Sequence, residues 1–225
     1  GVKHLAEALK DSSLAALDLE RNNIGEEGSR YLAEALKANK MLKQIDLTLN
    51  LICMEGAKHL ARALTQNATL KVCLLGDNNI GEEGVMHLAK ALELNRSIII
   101  MDLWKNQINA KGAQYLAKVL KVNTSLENLS MQQNSIGNEG AKYLAEGLKT
   151  NRSMKRISLC MNGMGVKGAK HFAEALESNV SLESIGFCRN GISDEGAKYI
   201  AKALTVNSSL KTIGLSCNGI SDKGA

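Results

Sequence analysis

The sequence repeats every 28 residues from Leu14 onward, without an insertion or a deletion. Three columns show this spacing most clearly, one apolar, one of asparagine and one of glycine. Their members are Leu14, Leu42, Leu70, Ile98, Leu126, Met154, Leu182 and Leu210; Asn22, Asn50, Asn78, Asn106, Asn134, Asn162, Asn190 and Asn218; and Gly28, Gly56, Gly84, Gly112, Gly140, Gly168, Gly196 and Gly224. A fixed period of this length is typical of a solenoid, in which each unit packs only against its neighbours. The period therefore predicts the architecture and makes catalysis an unexpected function.

One repeat, residues 126–153, contains a strand half followed by a helix half. Leu129 and Met131 are two residues apart and point to one face of an extended chain, so that Asn128 and Ser130 point to the other. Four apolar residues of the second half have the spacing of one helix face: Ala141, Leu144, Ala145 and Leu148. Many such units stacked together predict a parallel sheet on one side and a layer of helices on the other.

Glycine, acidic and asparagine columns mark the boundaries of these elements. Gly137 permits the turn after the strand, and acids such as Glu26 and Glu82 fall in the first helical turn, where they suit the positive end of the helix dipole. Asn151 follows the helix, where we expect the left-handed backbone that ends many helices. The column of Asn134 is predicted to be a buried ladder whose side chains bind backbone groups of the turn.

The repeat pattern LxxLxLxxNxIGxEGAxxLAxALxxN resembles the leucine-rich repeat of the ribonuclease-inhibitor-like class along the whole chain. It is most similar to the uniform repeats at the C-terminal end of NOD-like receptors. The resemblance implies an α/β fold, a right-handed solenoid in the form of a leucine-rich repeat horseshoe, with the parallel sheet on the concave face and the helices on the convex face. Ribonuclease inhibitor alternates two repeat lengths and is acidic and very rich in cysteine, whereas this chain has one length, five cysteines and a net charge of +5. Inhibitor activity is therefore not expected.

We expect residues 1–225 to form a single leucine-rich repeat domain. Residues 1–13 match the helical half of a repeat, residues 14–209 contain seven complete repeats, and residues 210–225 begin an eighth. Because solenoids usually need capping units and the sequence shows none, we expect a fragment of a longer protein. The sequence contains no proline, linker or long apolar run and predicts neither a transmembrane helix nor a signal peptide within it.

The cysteine and histidine residues do not form a pattern that predicts a disulfide framework or a metal site. The cysteines are odd in number, which favours free thiols in a reducing compartment and a cytoplasmic protein. Cys160 and Cys188 share a column on neighbouring strands, at a spacing that a disulfide can bridge, although reduced thiols are favoured. His59 and His87 share a helix column with tyrosines and lack a third ligand, which favours an aromatic ladder over a metal site. No cofactor, metal or catalytic residue is predicted.

Side chains at the outward positions of the strands do not pack in the core. The residue types at these positions therefore indicate where a binding surface lies. Trp104 is the only tryptophan, and it faces outward between Gly76 and Gln132 of the adjacent repeats. Because Gly76 has no side chain, we expect a shallow pocket beside the indole. Apolar residues surround this position: Leu49, Leu51, Val72, Leu74 and Ile100. Such a patch around a tryptophan is typical of a protein contact surface, and the alternative is that scattered apolar residues simply cover one another.

Charged residues on the same face separate along the chain. The first four repeats carry the acids Asp18, Glu20, Asp46, Asp77 and Asp102, and the later ones carry Arg156 and Arg189. Such a gradient orients a partner and raises its rate of association. We therefore expect a folded protein with an apolar anchor and a basic region that faces strands one to four. The predicted partner-binding residues are Trp104, Leu49, Leu51, Val72, Leu74, Ile100, Asp77, Asp102, Lys105, Gln132, Glu20, Asp46 and Arg189.

The leading functional prediction, by resemblance, is a protein-interaction module that forms the sensing or autoinhibitory repeat domain of a NOD-like-receptor type of protein. A second prediction is a GTPase activator, because the GTPase-activating protein for Ran resembles this repeat class; its repeats are more irregular, and its acidic tail has no counterpart here. A generic repeat scaffold fits the same pattern.

A column of bases on the helices raises the alternative of a nucleic-acid surface: Lys3, Arg30, Lys58, Lys142, Lys170 and Lys198. Glutamates lie three residues before several of these bases, and such pairs simply solvate a helix. No aromatic residues for base stacking are interleaved with them. We therefore expect a protein ligand on the concave face, and neither a nucleic acid nor a membrane as partner.

Overall fold

The computed structural model of the protein describes residues 1–222 and residue 224, in which eight helices alternate with eight strands of three residues. The helices are α1 (Val2–Leu9), α2 (Gly25–Ala38), α3 (Cys53–Leu64), α4 (Gly81–Leu94), α5 (Ala110–Val122), α6 (Gly137–Thr150), α7 (Gly165–Leu176) and α8 (Ser193–Leu204). The strands are β1 (Ala16–Asp18), β2 (Gln44–Asp46), β3 (Val72–Leu74), β4 (Ile100–Asp102), β5 (Asn128–Ser130), β6 (Arg156–Ser158), β7 (Ser184–Gly186) and β8 (Thr212–Gly214). The predicted last partial repeat includes residues 223 and 225, which lie outside the described residues.

All eight strands lie side by side in one parallel sheet, in the order of the sequence. Each strand pairs with the next in the register of the repeat, so that Ile45 lies opposite Cys73 and Cys73 lies opposite Met101. Since the repeat length is constant, every column of the sequence becomes a straight row across the sheet. The predicted α/β solenoid is confirmed. No helix within the described part of the chain combines the length and apolar character needed to cross a membrane.

The hydrophobic core lies between the sheet and the helices. The middle residue of each strand from β2 to β7 is buried there, as are the apolar faces of the helices. In α6 the predicted face is buried along its whole length, through Ala141, Leu144, Ala145 and Leu148. Phe172 of α7 and Phe187, just after β7, meet edge to face with their ring centroids 5.1 Å apart. The helix face and the strand alternation were therefore predicted correctly from their periods.

The buried asparagine column forms the predicted ladder. Asn106 donates from Nδ2 to the carbonyl oxygens of Leu75 (2.8 Å) and Trp104 (3.1 Å). Its Oδ1 accepts the backbone N–H groups of Asn78 (3.0 Å) and Ile80 (3.3 Å). Each such asparagine joins two repeats and satisfies backbone groups that short strands leave unpaired. Among residues 1–222 and 224, no buried side-chain nitrogen or oxygen atom lacks a hydrogen-bond partner.

The expectation for the second asparagine column, at the helix ends, is wrong. Asn123 has an extended backbone (φ −83°, ψ 132°) rather than a left-handed one. Its Nδ2 donates to the carbonyl oxygens of Leu92 (2.7 Å) and Asn95 (2.9 Å), in the preceding repeat. Its Oδ1 accepts the N–H groups of Ser125 (2.9 Å) and Leu126 (2.7 Å). The side chain therefore ends the helix by satisfying backbone groups in two repeats.

Left-handed backbone occurs in the turns between strand and helix. The first turn residue has a positive φ in every repeat: Arg21, Leu49, Asp77, Lys105, Gln133, Met161, Arg189 and Cys217. The residue that begins the helix has a positive φ in six repeats; it is glycine in four of them, including Gly137 (φ 63°), which confirms the role predicted for that residue. Cys53 (φ 54°) and Ser193 (φ 57°) occupy the same position. Glycine adopts this conformation without the steric cost that a Cβ atom imposes.

Candidate binding face

The concave face is built from the first and third residues of each strand and from the residue two positions further on. In β3, β4 and β5 the first and third residues are partly exposed, while the middle residue is buried. Because successive side chains alternate between the faces of a strand, the outward residues form continuous rows across the sheet. One such row contains Thr48, Gly76, Trp104 and Gln132.

The indole of Trp104 lies directly over Gly76 of the preceding repeat. A Cβ atom on Gly76 would overlap Nε1 and Cδ1 of the ring, so only glycine leaves room for it. The side chain is partly buried as a result. The indole itself fills the space over Gly76 in which we expected a shallow pocket.

A backbone hydrogen bond, a nearby lysine ammonium group and an ion pair surround Trp104. Its backbone N–H donates to Oδ1 of Asp102 (3.1 Å). The ammonium group of Lys105 lies 6.0 Å from the ring centroid, and it forms an ion pair with Oδ2 of Asp77 (2.7 Å). Lys105 and Asp77 therefore neutralise each other across two repeats, and the predicted acid Asp77 does not add free negative charge to the face.

Apolar side chains lie beside Trp104 on the concave face. Val72 of β3 lies opposite Ile100 of β4, and with Leu74 they form a partly buried strip. Leu49 and Leu51 are in the turn after β2 and have positive φ angles. Leu51 is 57% exposed. The structure therefore places three of the five predicted apolar residues on the strands beside the indole and two in the turn beyond them.

A row of aspartates crosses the first half of the same face. Asp18 lies opposite Asp46, and Asp102 occupies the same row two strands further on. Each uses Oδ1 to accept the backbone N–H of the residue two positions later, at 2.9, 2.9 and 3.1 Å. Glu20, in the next row, is exposed, and its Oε1 lies 3.6 Å from Nε of Arg21. These acids therefore lie on the face from β1 to β4.

Asp102 has an unusual electrostatic environment for a residue on an open face. Its burial raises the pKa of the carboxyl group, and the nearby Asp46 acts in the same direction. Hydrogen bonds from Ser130 and from the backbone of Trp104 partly oppose this effect. A positive group from a partner would stabilise the ionised carboxylate here, because the protein itself supplies no base to neutralise it in an ion pair among the described residues.

A groove of about 490 Å³ runs along the concave face over β4 to β8. Small residues form its floor: Ser130, Ser158, Ser184, Gly186 and Gly214. Ile100 and Leu74 line one end, and Gln132 and Arg156 also line it. Sequence reasoning centred on Trp104 missed this groove. The signal was present in the run of serine and glycine at the outward positions of β5 to β8.

The two arginines of the face, Arg156 and Arg189, belong to later repeats than Trp104. Arg156 is exposed in β6, and its guanidinium donates to Oδ1 of Asn128 (3.3 Å). Arg189 is exposed in the turn after β7, three strands from Trp104, which corresponds to about 14 Å across a sheet. The structure therefore places Gln132 beside Trp104 in the same row, but it does not bring Arg189 to that row.

The tyrosines of the column for which the sequence predicts an aromatic ladder lie on the helical face. Tyr31, Tyr115, Tyr143 and Tyr199 pack against the core while remaining partly exposed. Burial lowers the pKa of His87, which lies in the same column. Within residues 1–222 and 224, no group of three or more His, Cys, Asp or Glu side chains is arranged to hold a metal ion. Two bases of the convex column pair with glutamates three residues earlier, Lys58 with Glu55 (3.0 Å) and Arg30 with Glu27 (3.6 Å).

Comparison with known sequences supports the repeat assignment. A family model described as Leucine Rich repeat matches residues 10–33, 122–145, 178–201 and 206–225. No curated protein matches the chain in sequence.

Solved structures share the fold at low sequence identity. The leucine-rich repeat-containing protein LegL7 from Legionella pneumophila has 16% identity, covers 100% of this chain and 74% of its own, and has a TM-score of 0.61. A chain in the Rad7 and Elc1 complex in yeast has 16% identity over 94% of this chain and 52% of its own, with a TM-score of 0.63. Leiomodin-1 actin-binding site 2 has 17% identity over 68% of this chain and 87% of its own, with a TM-score of 0.57. The chain therefore contains leucine-rich repeats, and it shares its parallel strand–helix solenoid with these structures.

Proposed function

We propose that the concave face around Trp104 binds a folded protein, and that the chain acts as an interaction module rather than an enzyme. The observation that carries this proposal is the indole held over Gly76 beside the apolar strip of Val72, Leu74 and Ile100. A ring that is already fixed loses little conformational freedom when a partner packs on it, so more of the contact energy remains as affinity. Tryptophan is also enriched among the residues that dominate binding energy.

The charges on the face define the chemistry of the partner. Asp18, Asp46 and Asp102 form an acidic row beside the apolar strip, and Lys105 is neutralised by Asp77. A partner with an apolar anchor for Trp104 and a basic region over β1 to β4 fits this arrangement. Complementary charge of this kind steers association and fixes orientation.

Proteins with the same fold provide a precedent for protein binding. The leiomodin-1 structure is an actin-binding site, and the yeast structure is a complex of Rad7 and Elc1. These likenesses concern the fold alone, so they support the class of function and not the identity of the partner.

On the resemblance of its uniform repeats, we further propose that the module is the sensing or autoinhibitory repeat domain of a NOD-like-receptor type of protein. The observation that tests this assignment is the complete coding sequence. A nucleotide-binding domain encoded ahead of Gly1 would support it, and a coding sequence without such a domain would remove it while leaving the binding face intact.

The binding proposal is tested with a partner identified by capture on the wild-type chain and then purified. Titration calorimetry should show that Trp104→Ala weakens binding by about 2 kcal/mol or more, which is roughly 30-fold in Kd. Leu94→Ala is the matched control, because Leu94 is 70% exposed at the end of α4, away from the concave face. Equal affinities of the wild type and Trp104→Ala, or a larger loss in Leu94→Ala, would place the binding surface elsewhere.

A further inference from the structure

Two cysteines lie next to each other on the concave face, in the segments that directly follow two of the strands of the groove floor. Cys160 follows β6 and Cys188 follows β7, each two residues after the in-register pair Ser158 and Gly186. The sheet continues through them, because the N–H of Met161 donates to the carbonyl oxygen of Cys188 (2.8 Å). Neighbouring strands bring such Cα atoms to about 4.8 Å, within the range of about 4.4–6.8 Å that disulfides span.

Both sulfur atoms lean toward the following repeat, so the Cys160 sulfur lies on the side of Cys188. Sγ of Cys160 lies 3.2 Å from the point where a Cβ atom on Gly186 would sit, and Sγ of Cys188 lies at the same distance from that point on Gly214. Gly186, beside the Cys160 sulfur, has no side chain, so the disulfide forms when the Cys188 side chain rotates toward Cys160.

The surroundings give the two thiols different roles. A hydrogen bond with Ser216 lowers the pKa of Cys188, whereas burial raises the pKa of Cys160. Cys188 therefore forms the thiolate, the reactive species, more readily, and Cys160 is placed beside it as a resolving thiol. Both side chains are partly exposed, so a small oxidant reaches them from the open concave face.

We propose that Cys160 and Cys188 form a reversible oxidation site, at which a hydroperoxide converts two neighbouring thiols into a disulfide between the sixth and seventh repeats. The Cys188 thiolate attacks the O–O bond of hydrogen peroxide, forms an S–O bond and releases one molecule of water once a proton is taken up. The Cys160 sulfur then attacks the sulfenic sulfur, forms the S–S bond and expels hydroxide, which leaves as water with the proton of Cys160. Two thiols are oxidised, one peroxide is reduced to two waters, and a dithiol reductant reverses the change.

The other cysteines provide internal controls. Cys73 is buried in the core, where burial raises its pKa to about 12, so it should resist both oxidation and alkylation. Cys53 begins α3 and Cys217 lies in the turn after β8, in rows different from that of the pair. This site does not depend on the proposed function, since the reaction requires only the two neighbouring repeats.

The test uses the full chain with Cys53→Ser and Cys217→Ser, so that Cys160, Cys188 and the buried Cys73 remain. After stoichiometric peroxide, denaturation and alkylation, we expect the mass of a molecule that has lost about 2 Da and carries one alkyl group. Peptide mapping should identify a Cys160–Cys188 link that dithiothreitol removes. In Cys160→Ser, Cys188 should accumulate as a sulfenic acid that dimedone traps, without an intramolecular link.

Three results would overturn the site. They are full alkylation of both thiols under conditions that oxidise dithiothreitol, a link between two molecules rather than within one, and a link from Cys188 to Cys217 in the wild-type chain. The wild-type mapping requires no substitution, so it decides the question even where a serine variant fails to fold. Circular dichroism of each variant separates loss of the fold from loss of the link.

Discussion

The indole of Trp104 occupies the space that a side chain on Gly76 would need, so one repeat supplies the ring and the repeat before it supplies the surface beneath. The candidate site is therefore a property of two neighbouring repeats and not of a single residue. Gly76 determines the position of the ring as much as the ring itself does. A partner of this face would meet a surface that is already formed.

Gly76→Ala tests this relationship without touching the tryptophan. The new Cβ atom cannot share space with the ring, so we expect Trp104 to swing outward and become more exposed to water. Its emission should shift to longer wavelength, and acrylamide should quench it more strongly. Because Trp104 is the only tryptophan, the signal has one source. Gly214→Ala, on the same face but four strands away, should leave the emission unchanged, and an unchanged spectrum in Gly76→Ala would contradict the placement of the ring.

Replacing one asparagine of the ladder should destabilise the fold by an amount that depends on how deeply that asparagine is buried. Asn106→Ala removes four hydrogen bonds to buried backbone groups, and we expect a loss of about 2–4 kcal/mol in the free energy of unfolding. Asn22→Ala is the control, since Asn22 is exposed at the first rung and should cost about 1 kcal/mol or less. Urea denaturation followed by circular dichroism measures both. Equal losses would mean that the ladder does not stabilise through buried backbone groups.

Cys53→Gly should stabilise the protein. Cys53 begins α3 with a φ of 54°, at a position where four other repeats have glycine. Removing Cβ relieves a steric cost of about 1–2 kcal/mol, and the greater freedom of glycine in the unfolded chain offsets part of it. We expect a net gain of about 0.5–1 kcal/mol in thermal or urea unfolding. Ser193→Gly should act in the same direction, whereas Gly81→Ala should destabilise; a loss of stability in Cys53→Gly would show that the thiol makes a compensating contact.

The raised pKa of Asp102 predicts a pH-dependent stability. A carboxyl whose pKa is higher in the folded state holds its proton while the unfolded chain has lost it, so the free energy of unfolding falls as pH rises from the unfolded pKa of about 4 through the folded one. Asp102→Asn keeps an acceptor for the N–H of Trp104 and removes this effect. We therefore expect the variant to gain stability relative to the wild type as pH is raised from about 4 to 7. A constant difference across that range would contradict the assignment.

The pKa of Asp194 is shifted in the opposite direction to that of Asp102. Ser221 donates its backbone N–H (2.6 Å) and its hydroxyl (2.7 Å) to this carboxylate, which lowers the pKa of Asp194. The contribution of the ionised Asp194 to the free energy of unfolding is fully present above the pKa of the unfolded state. It is lost as pH falls through the pKa of the folded state. Asp194→Asn should therefore lose stability at neutral pH and match the wild type in acid. Urea unfolding at pH 3 and pH 7 measures this, and a larger effect at pH 3 would be inconsistent with the hydrogen bonds.

The sequence was sufficient to predict features that depend on period. The burial of Leu144 and Met131 and the ladder formed by Asn134 follow from spacing, because each repeat places these residues in the same surroundings. Sequence reasoning failed where a side chain has more than one means of satisfying the same backbone groups. The column of Asn151 was expected in a left-handed conformation, yet four of its members have an extended backbone and use their side chains instead: Asn39, Asn95, Asn123 and Asn151.

The candidate site was predictable only in part, because it depends on contacts between neighbouring repeats that do not follow the pattern. The outward direction of Trp104 follows from alternation along the strand. The closure of the space over Gly76 and the pairing of Lys105 with Asp77 depend on rotamers that the pattern does not encode. The groove over β4 to β8 arises from side chains on β5 to β8 that are small, and small side chains are a weaker signal in a sequence than a tryptophan.

The straight rows produced by the constant spacing have an evolutionary consequence. Loss or duplication of a whole 28-residue unit leaves every remaining unit beside a neighbour of the same kind, so recombination between units can shorten or lengthen the molecule while preserving its packing. Outward residues are exempt from that packing and can diversify one position at a time. Substitutions that change binding can therefore accumulate at the outward positions without altering the residues that stabilise the fold.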